Sequence, residues 1–560
     1  MKKIRLFAAT ALLATAAISG SFAQTNLGAD CGCPPITSRD VVLMSSLTKD
    51  TLVTFNGVSA TYTIMAAKNT VLTCQHLYTL DRRIYVKDGQ SLTIQPGSVL
   101  RGTYTNDVDP NSLIIARGGK IFADGTATCP IVMTSVDDPM DGSYPICSAG
   151  RWGGLVILGK ATNNLVAANT LCATINSVKV PGVGYVEGFT ASNPYNLFGA
   201  ANGAFDDNDN SGILRYVTVK AAGTEVSANN ELNGISLGSV GRGTTIEHIE
   251  IVGNQDDGIE FFGGTVNVKY VAMWWVNDDM FDWDLGWRGN GQFLFGIQGG
   301  QSVRTAPNPN GADSGFESDG EDNNVNSSYQ SHPVIYNATF IGDGQIPTVG
   351  GPSGPSAIRG KDRGEGEVYN SIFANFRYGF DVNDTESAGS TTYDNWVSRR
   401  WLVVNNDFVN IYGGLGAFTV TPPSPGTRAS ATTADLATFA ADGNLVVSTI
   451  AGFSYPADLL VCGTPGSISA KFDAQPNPER RGTAAPVSIT PLNGFFKPVS
   501  YRGAFGVAEG NWLEGWSFGV QNSITNGVIT GPGDINKSGS VNSTDLNEIL
   551  NNYGVTYSKK

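Results

Sequence analysis

The chain of 560 residues reads as an all-β protein, a right-handed parallel β-helix, and three observations predict it. The first is a short recurring pattern along 233–383, most often a glycine or other turn residue, then an apolar residue and then a charged or polar one. It appears as Gly234-Ile235-Ser236, Gly258-Ile259-Glu260, Met280-Phe281-Asp282, Gly315-Phe316-Glu317, Ala357-Ile358-Arg359 and Gly379-Phe380-Asp381. The second is its step, 22 residues twice (282 − 260 and 381 − 359) and 24 once (260 − 236). One short strand per copy at such a period marks a solenoid. The third is the alternation that continues after each triplet, as in Trp283-Asp284, Ser318-Asp319 and Gly360-Lys361, which is the pleat of a strand. No amphipathic helix of ordinary length interrupts these stretches. Ile259, Phe281, Phe316, Ile358 and Phe380 are therefore expected to stack in the core. Glu260, Asp282, Glu317, Arg359 and Asp381 then form an outward column, spaced about 4.8 Å from rung to rung.

From the start of the chain, Met1 to Arg5 is basic, Leu6 to Ile18 is apolar but too short to span a bilayer, and Ser21-Phe22-Ala23 precedes Gln24. That is a secretory signal peptide over 1–23, and it implies an exported protein with no membrane helix. Residues 24–80 are irregular and read as an N-terminal cap against edge pairing. Coils then run over 81–400, starting with Ile84-Tyr85-Val86 and Leu92-Thr93-Ile94 between turn dipeptides. The Gly/Pro/Asn-rich stretches 299–311 and 342–354 loop out of the stack. Residues 401–520 end the solenoid and cap it, with one short helix at Ala434–Ala441 behind Thr432 or Thr433. A linker covers 521–532 and a calcium-binding segment 533–560. The seven cysteines (31, 33, 74, 129, 147, 172 and 462) follow the cleavage site, so disulfides are expected, with one thiol left over and the connectivity open.

The phrases Leu92-Thr93-Ile94-Gln95-Pro96-Gly97, Arg151-Trp152-Gly153-Gly154-Leu155-Val156-Ile157-Leu158-Gly159, Asp209-Asn210-Ser211-Gly212, Asp256-Asp257-Gly258-Ile259-Glu260-Phe261-Phe262 and Asp282-Trp283-Asp284-Leu285-Gly286-Trp287-Arg288-Gly289 resemble a family of secreted bacterial right-handed β-helix proteins. Tyr501-Arg502-Gly503-Ala504-Phe505-Gly506 with Trp512 and Trp516 is similar to that family's C-terminal end. The resemblance implies fold and export. It brings no established reaction with it.

In the tail, Asp534, Asn536, Ser538, Ser540, Asn542 and Asp545 stand at positions 1, 3, 5, 7, 9 and 12 of a calcium loop, with Gly539 at its sharp turn. The spacing resembles one half of a type I dockerin, which implies Ca2+ as cofactor and a protein partner for the tail. Asp206-Asp207-Asn208-Asp209-Asn210 is a further oxygen-rich stretch, read either as a calcium loop or as a plain turn.

A formal charge of −14 excludes nucleic acid as the expected partner, because phosphate neutralisation needs clustered Lys and Arg. With three histidines, none in a recognisable motif, a nucleophilic triad has little support. Glu260, Asp282, Glu317 and Asp319 on the outward column, with Trp287 and Arg288 beside it, are the candidate ligand-binding residues. Trp283 points inward by alternation, whereas Trp287, beyond Gly286, is read as a surface residue. Two functions fit. One is a calcium-stabilised cell-surface or extracellular protein that is structural, adhesive or binds a polysaccharide or surface glycan. The other is a calcium-assisted polysaccharide lyase or glycoside hydrolase whose catalytic candidates are Asp282, Asp284, Glu317 and Arg359.

Overall fold

The computed structural model describes residues 27–449 and 494–521, apart from 106–109, 166–171, 228–229, 299–312, 321–328, 343–354, 385–390, 412–414, 423–426 and 507–510. The signal peptide, and the linker and calcium loop beyond residue 521, lie outside the described residues. Within them, the strands gather chiefly into one sheet of 13 strands and one of 17. The first follows chain order from Thr48–Phe55 to Ala429–Ser430. Its interior pairs are parallel, such as Leu155–Leu158 on Ile235–Gly238 and Ile259–Phe262 on Phe281–Asp284. Its two ends close on antiparallel hairpin partners, which shields the terminal rungs from open-edge pairing. Each coil thus visits both sheets and returns one rung further along, which is a parallel β-helix.

Register follows the triplets. Ile259 pairs with Phe281, Phe281 with Phe316, Phe316 with Ile358 and Ile358 with Phe380, and all five are buried. Pairing begins inside the stretch read as irregular, since Asp40–Leu43 and Asn69–Leu72 already bond to His76–Leu80 and Ser91–Ile94. The outer faces of those first strands mix apolar and polar residues, which blurs their period. At the far end Thr432 caps the helix Thr433–Ala441 through a capping box with Asp435.

In the second sheet the long strands bend at aligned left-handed residues, Tyr216, His248, Tyr270, Phe293 and Asn337, with Asn370 and Asn405 continuing the line, and three of these strands turn left-handed again at Ala221, Gly253 and Trp275. Left-handed backbone costs a non-glycine residue roughly 1–2 kcal/mol. Asn tolerates it, and the aromatic rings offset it by stacking, with centroids 4.3 Å apart for Tyr216 and His248, 4.5 Å for His248 and Tyr270, and 5.0 Å for Tyr270 and Phe293. His248, expected to be structural, sits inside this stack. Burial pulls its pKa down to about 4.

Two segments cover the coil from outside. The described residues within 160–205 lie over the first sheet, where Leu165, Val186, Phe189 and Phe198 pack against Tyr85, Ile114, Val156 and Phe262. The described residues within 494–521 lie over the second sheet, with Phe505, Leu513, Trp516 and Phe518 against Trp274, Trp275 and Phe295. This stretch is pinned by the buried carboxylate of Glu250, which accepts from Ser517 Oγ (2.5 Å), Phe518 N (2.8 Å), Gly519 N (3.2 Å), Trp274 Nε1 (2.8 Å) and Thr218 Oγ1 (3.0 Å). A buried Arg502–Asp407 ion pair at 2.6 Å fastens it further. Disulfides join Cys31 to Cys129 and Cys33 to Cys74, and Cys147 is disulfide-bonded too. Cys172 keeps its thiol, buried against Leu165 O. Among the described residues no helix is long and apolar enough to cross a membrane.

Candidate functional site

The outward column forms because side chains alternate across a strand and parallel pairing holds equivalent residues in line. Glu260 stands beside Asp282, Asp282 beside Glu317, Glu317 beside Arg359 and Arg359 beside Asp381. Two residues on, Asp319 pairs with Lys361. The column faces away from the apolar core, yet Glu260, Asp282, Glu317, Asp319 and Asp381 are all buried rather than lining an open surface.

Sequence reasoning missed a second column, in the turns that enter the same strands. Asp256, Asp257, Asp278, Asp279 and Asp313 crowd there, and three of their carboxylates at a time approach one another within 4.8 Å. The turns are tied by a backbone ladder. Asp257 N donates to Asn233 Oδ1 (3.2 Å), Asp279 N to Asp257 Oδ1 (3.0 Å), and Ser314 N to Asp279 Oδ1. The signal was present in the doublets Asp256-Asp257 and Asp278-Asp279, 22 apart (279 − 257) just ahead of the triplets.

Charge is compensated on one side of the site. Arg359 Nη1 reaches Asp313 at 2.6 Å and Glu317 at 3.2 Å, and Lys361 Nζ reaches Glu317 at 2.8 Å and Asp319 at 3.2 Å. Burial alone would push Glu317 up, but Lys361 and Arg359 outweigh it and hold its carboxyl below the usual range. On the preceding rungs the balance reverses. Burial first, and then the neighbouring acids, drive Asp257, Glu260 and Asp282 well above the carboxylate range. Asp278 and Asp279 behave alike. Glu187, from the covering segment, is pushed up to about 7 by burial and by Glu231. Asp381, at the end of the column, is held by Arg428 at 2.5 Å and by Thr419 Oγ1 at 2.7 Å.

This arrangement decides what single residues can do. Arg359 cannot take a proton from a substrate, because its carboxylate partners hold the guanidinium charged beyond its ordinary affinity despite burial. Asp284 uses Oδ1 to accept from the backbone N of Leu285. Trp287, read as a surface residue, lies in the core, stacked on Phe261 with centroids 3.8 Å apart and donating Nε1 to Val266 O at 3.1 Å. It offers no face to a sugar. The reason is local: Leu285 and Gly286 both have positive φ (51° and 91°), so the chain turns and strand alternation no longer counts. Arg288 is exposed, with Nε donating to Gln330 O at 3.0 Å and its guanidinium 5.8 Å from the Tyr329 ring.

In the oxygen-rich stretch at 206–210 the carboxylates of Asp206 and Asp207 serve turns and local pairing, whereas Asp209 Oδ2 is buried with no hydrogen-bond partner and burial raises that carboxyl above its usual range. Asp206 Oδ1 accepts from Asn208 N (3.0 Å), Asp207 Oδ1 accepts from Thr162 N (3.0 Å), and Asp207 Oδ2 lies 3.5 Å from Arg242. His332 stands in another setting, with Nδ1 3.1 Å from Glu365 and Nε2 3.2 Å from Glu367.

A protein-family model described as a pectate-lyase-like β-helix domain matches residues 63–441. Comparison with curated proteins and with solved structures returned no match.

Proposed function

Since the chain belongs to the pectate-lyase-like β-helix family, we propose that it is an exported, calcium-stabilised protein that binds polysaccharide at the cell surface or outside the cell and does not cleave it. Membership in the family supports a carbohydrate-related role. The observation that carries the non-catalytic reading is the state of Arg359. It is the basic residue of the column, and its side chain, 14% exposed, is locked between Asp313 and Glu317. β-Elimination needs a base that can accept a proton near neutral pH, and a guanidinium held by two carboxylates is the opposite. The carboxylates of Glu260, Asp282, Glu317 and Asp319 are themselves buried, between 6% and 8% exposed. Export rests on the signal peptide read at 1–23. The calcium requirement rests on the loop 534–545, which also offers a protein partner a place to dock.

The test is one set of samples with two readouts. The secreted chain is passed over immobilised uronate-containing and neutral polysaccharides with and without calcium, and the same polysaccharides are assayed for unsaturated and reducing ends. Retention without product is the expected result. Product that disappears in Asp282→Asn/Glu317→Gln while the melting temperature is unchanged would establish the lyase or hydrolase instead.

A further inference from the structure

We propose that the rungs of Ile259–Phe262 and Phe281–Asp284 enclose a structural divalent cation of the calcium class, held by the carboxylates of Asp257, Glu260 and Asp282. The inference deepens the calcium requirement of the proposed function and stands apart from polysaccharide binding. Its starting point is a comparison between neighbouring rungs that share one register. Where the rung of Lys361 meets that of Asp319, the ammonium sits between Glu317 and Asp319 at 2.8 and 3.2 Å, so a side chain supplies the positive charge. One rung back, Asp257, Glu260 and Asp282 bring one oxygen each within 4.8 Å of the others, and among the described residues the ion pairs of Arg359 and Lys361 go to Asp313, Glu317 and Asp319 and to none of these three. Two charges on one metal, each about 2.4 Å from it, are separated by no more than about 4.8 Å, so the triad has the span of a calcium coordination sphere.

A second observation points to a ligand. Asp282 is 8% exposed, and its Oδ1 is buried with no hydrogen-bond partner, although the residue belongs both to this triad and to the one with Glu317 and Asp319. A buried acceptor left unmet costs roughly 1–3 kcal/mol, more when charged. The surrounding bonds orient the triad without neutralising it: Asn233 Nδ2 donates to Glu260 Oε2 at 2.5 Å, and Asp279 N donates to Asp257 Oδ1. The donor set is oxygen alone, with neither His nor Cys, which selects a hard cation over zinc or copper. Asp257 and Glu260 are each 6% exposed, so the ion would be occluded and would join two rungs rather than bridge to a substrate.

The test uses the full secreted chain carrying Asp534→Ala/Asp545→Ala, so that the tail does not contribute calcium. After gel filtration in metal-free buffer, elemental analysis should find about one calcium per chain, consistent with a closed carboxylate cage. Chelation at elevated temperature should remove it and lower the melting temperature by several degrees. Asp282→Asn in the same background should lose the ion and make the melting temperature indifferent to chelator. If that variant does not fold, Asp282→Lys places an ammonium there as Lys361 does, and a folded, calcium-free, chelator-insensitive protein is expected. No bound metal together with a chelator-insensitive melting temperature before any change at Asp282 would overturn the inference, leaving shared protons to neutralise the triad. Retention of calcium by Asp282→Lys would overturn it too. Polysaccharide retention, scored on the same samples, separates the two readings. A chain that keeps calcium and binds no polysaccharide refutes the proposed function alone, and the reverse refutes the ion alone.

Discussion

Truncating Phe281 to Ala should remove one rung's hold on the solenoid. Its ring is 1% exposed, with centroids 5.8 Å from both Phe316 and Phe340. Withdrawing a fully buried Phe from the core costs up to about 3 kcal/mol in transfer. The two ring pairs add about 0.5–1.5 kcal/mol each, and partial collapse of the cavity returns some of it, for a net of about 3–5 kcal/mol. Because rungs contact chiefly their neighbours, unfolding of the whole chain need not be one transition, so the loss is best read locally. Amide hydrogen exchange of Ile259–Phe262, Phe281–Asp284 and Phe316–Asp319 should accelerate by about two to three and a half powers of ten, the equivalent of that free energy. Arg288→Ala, at an exposed position, serves as the control. Less than about a tenfold acceleration in Phe281→Ala, or the same change in the control, would refute the stacked-core argument.

His332 gives a pH prediction. Burial would lower its pKa, but its bonds to Glu365 and Glu367 prevail and raise it to about 9. With an unfolded value near 6.5, the contribution is complete below that pH and is lost as pH rises through about 9. Its side chain is 30% exposed, so solvent screening reduces the effect to about 1–2 kcal/mol. Melting temperature should therefore fall from neutral pH towards pH 9 to 10, and His332→Gln should flatten that slope; a wild-type profile without it disproves the clamp. Glu250→Gln turns an acceptor into a partial donor against three N–H groups and should loosen 494–521 at a cost on the order of 3 kcal/mol. Limited proteolysis should then cut first in that stretch, and an unchanged digest contradicts the pinning. N-terminal sequencing of exported material should begin at Gln24; a chain that still starts at Met1 rules out cleavage there.

Along the chain, the sequence by itself determined what depends on local alternation and spacing. The triplets at 234–236, 258–260 and 280–282 encode which side chain enters the core, because the pleat has period two. Their 22-residue step encodes which residues stand in line, because each coil returns to the same register. The fold and the strand half of the acidic site were legible for that reason. So was the core position of Trp283, which donates Nε1 to Ser318 Oγ at 2.9 Å. Tertiary structure decided whether an outward face is an exposed one. Alternation gives a side chain its direction, whereas its cover comes from residues far away in sequence, such as Phe189 and Phe198 over the first sheet and Trp516 and Phe518 over the second. It also decided the charge balance, since Asp313 meets Arg359 across a separation of 46 residues that no periodicity specifies. Trp287 marks the boundary between the two. Past the left-handed pair Leu285 and Gly286 the chain no longer runs as a strand, and only the packing of Phe261 against the indole fixes where that ring lies.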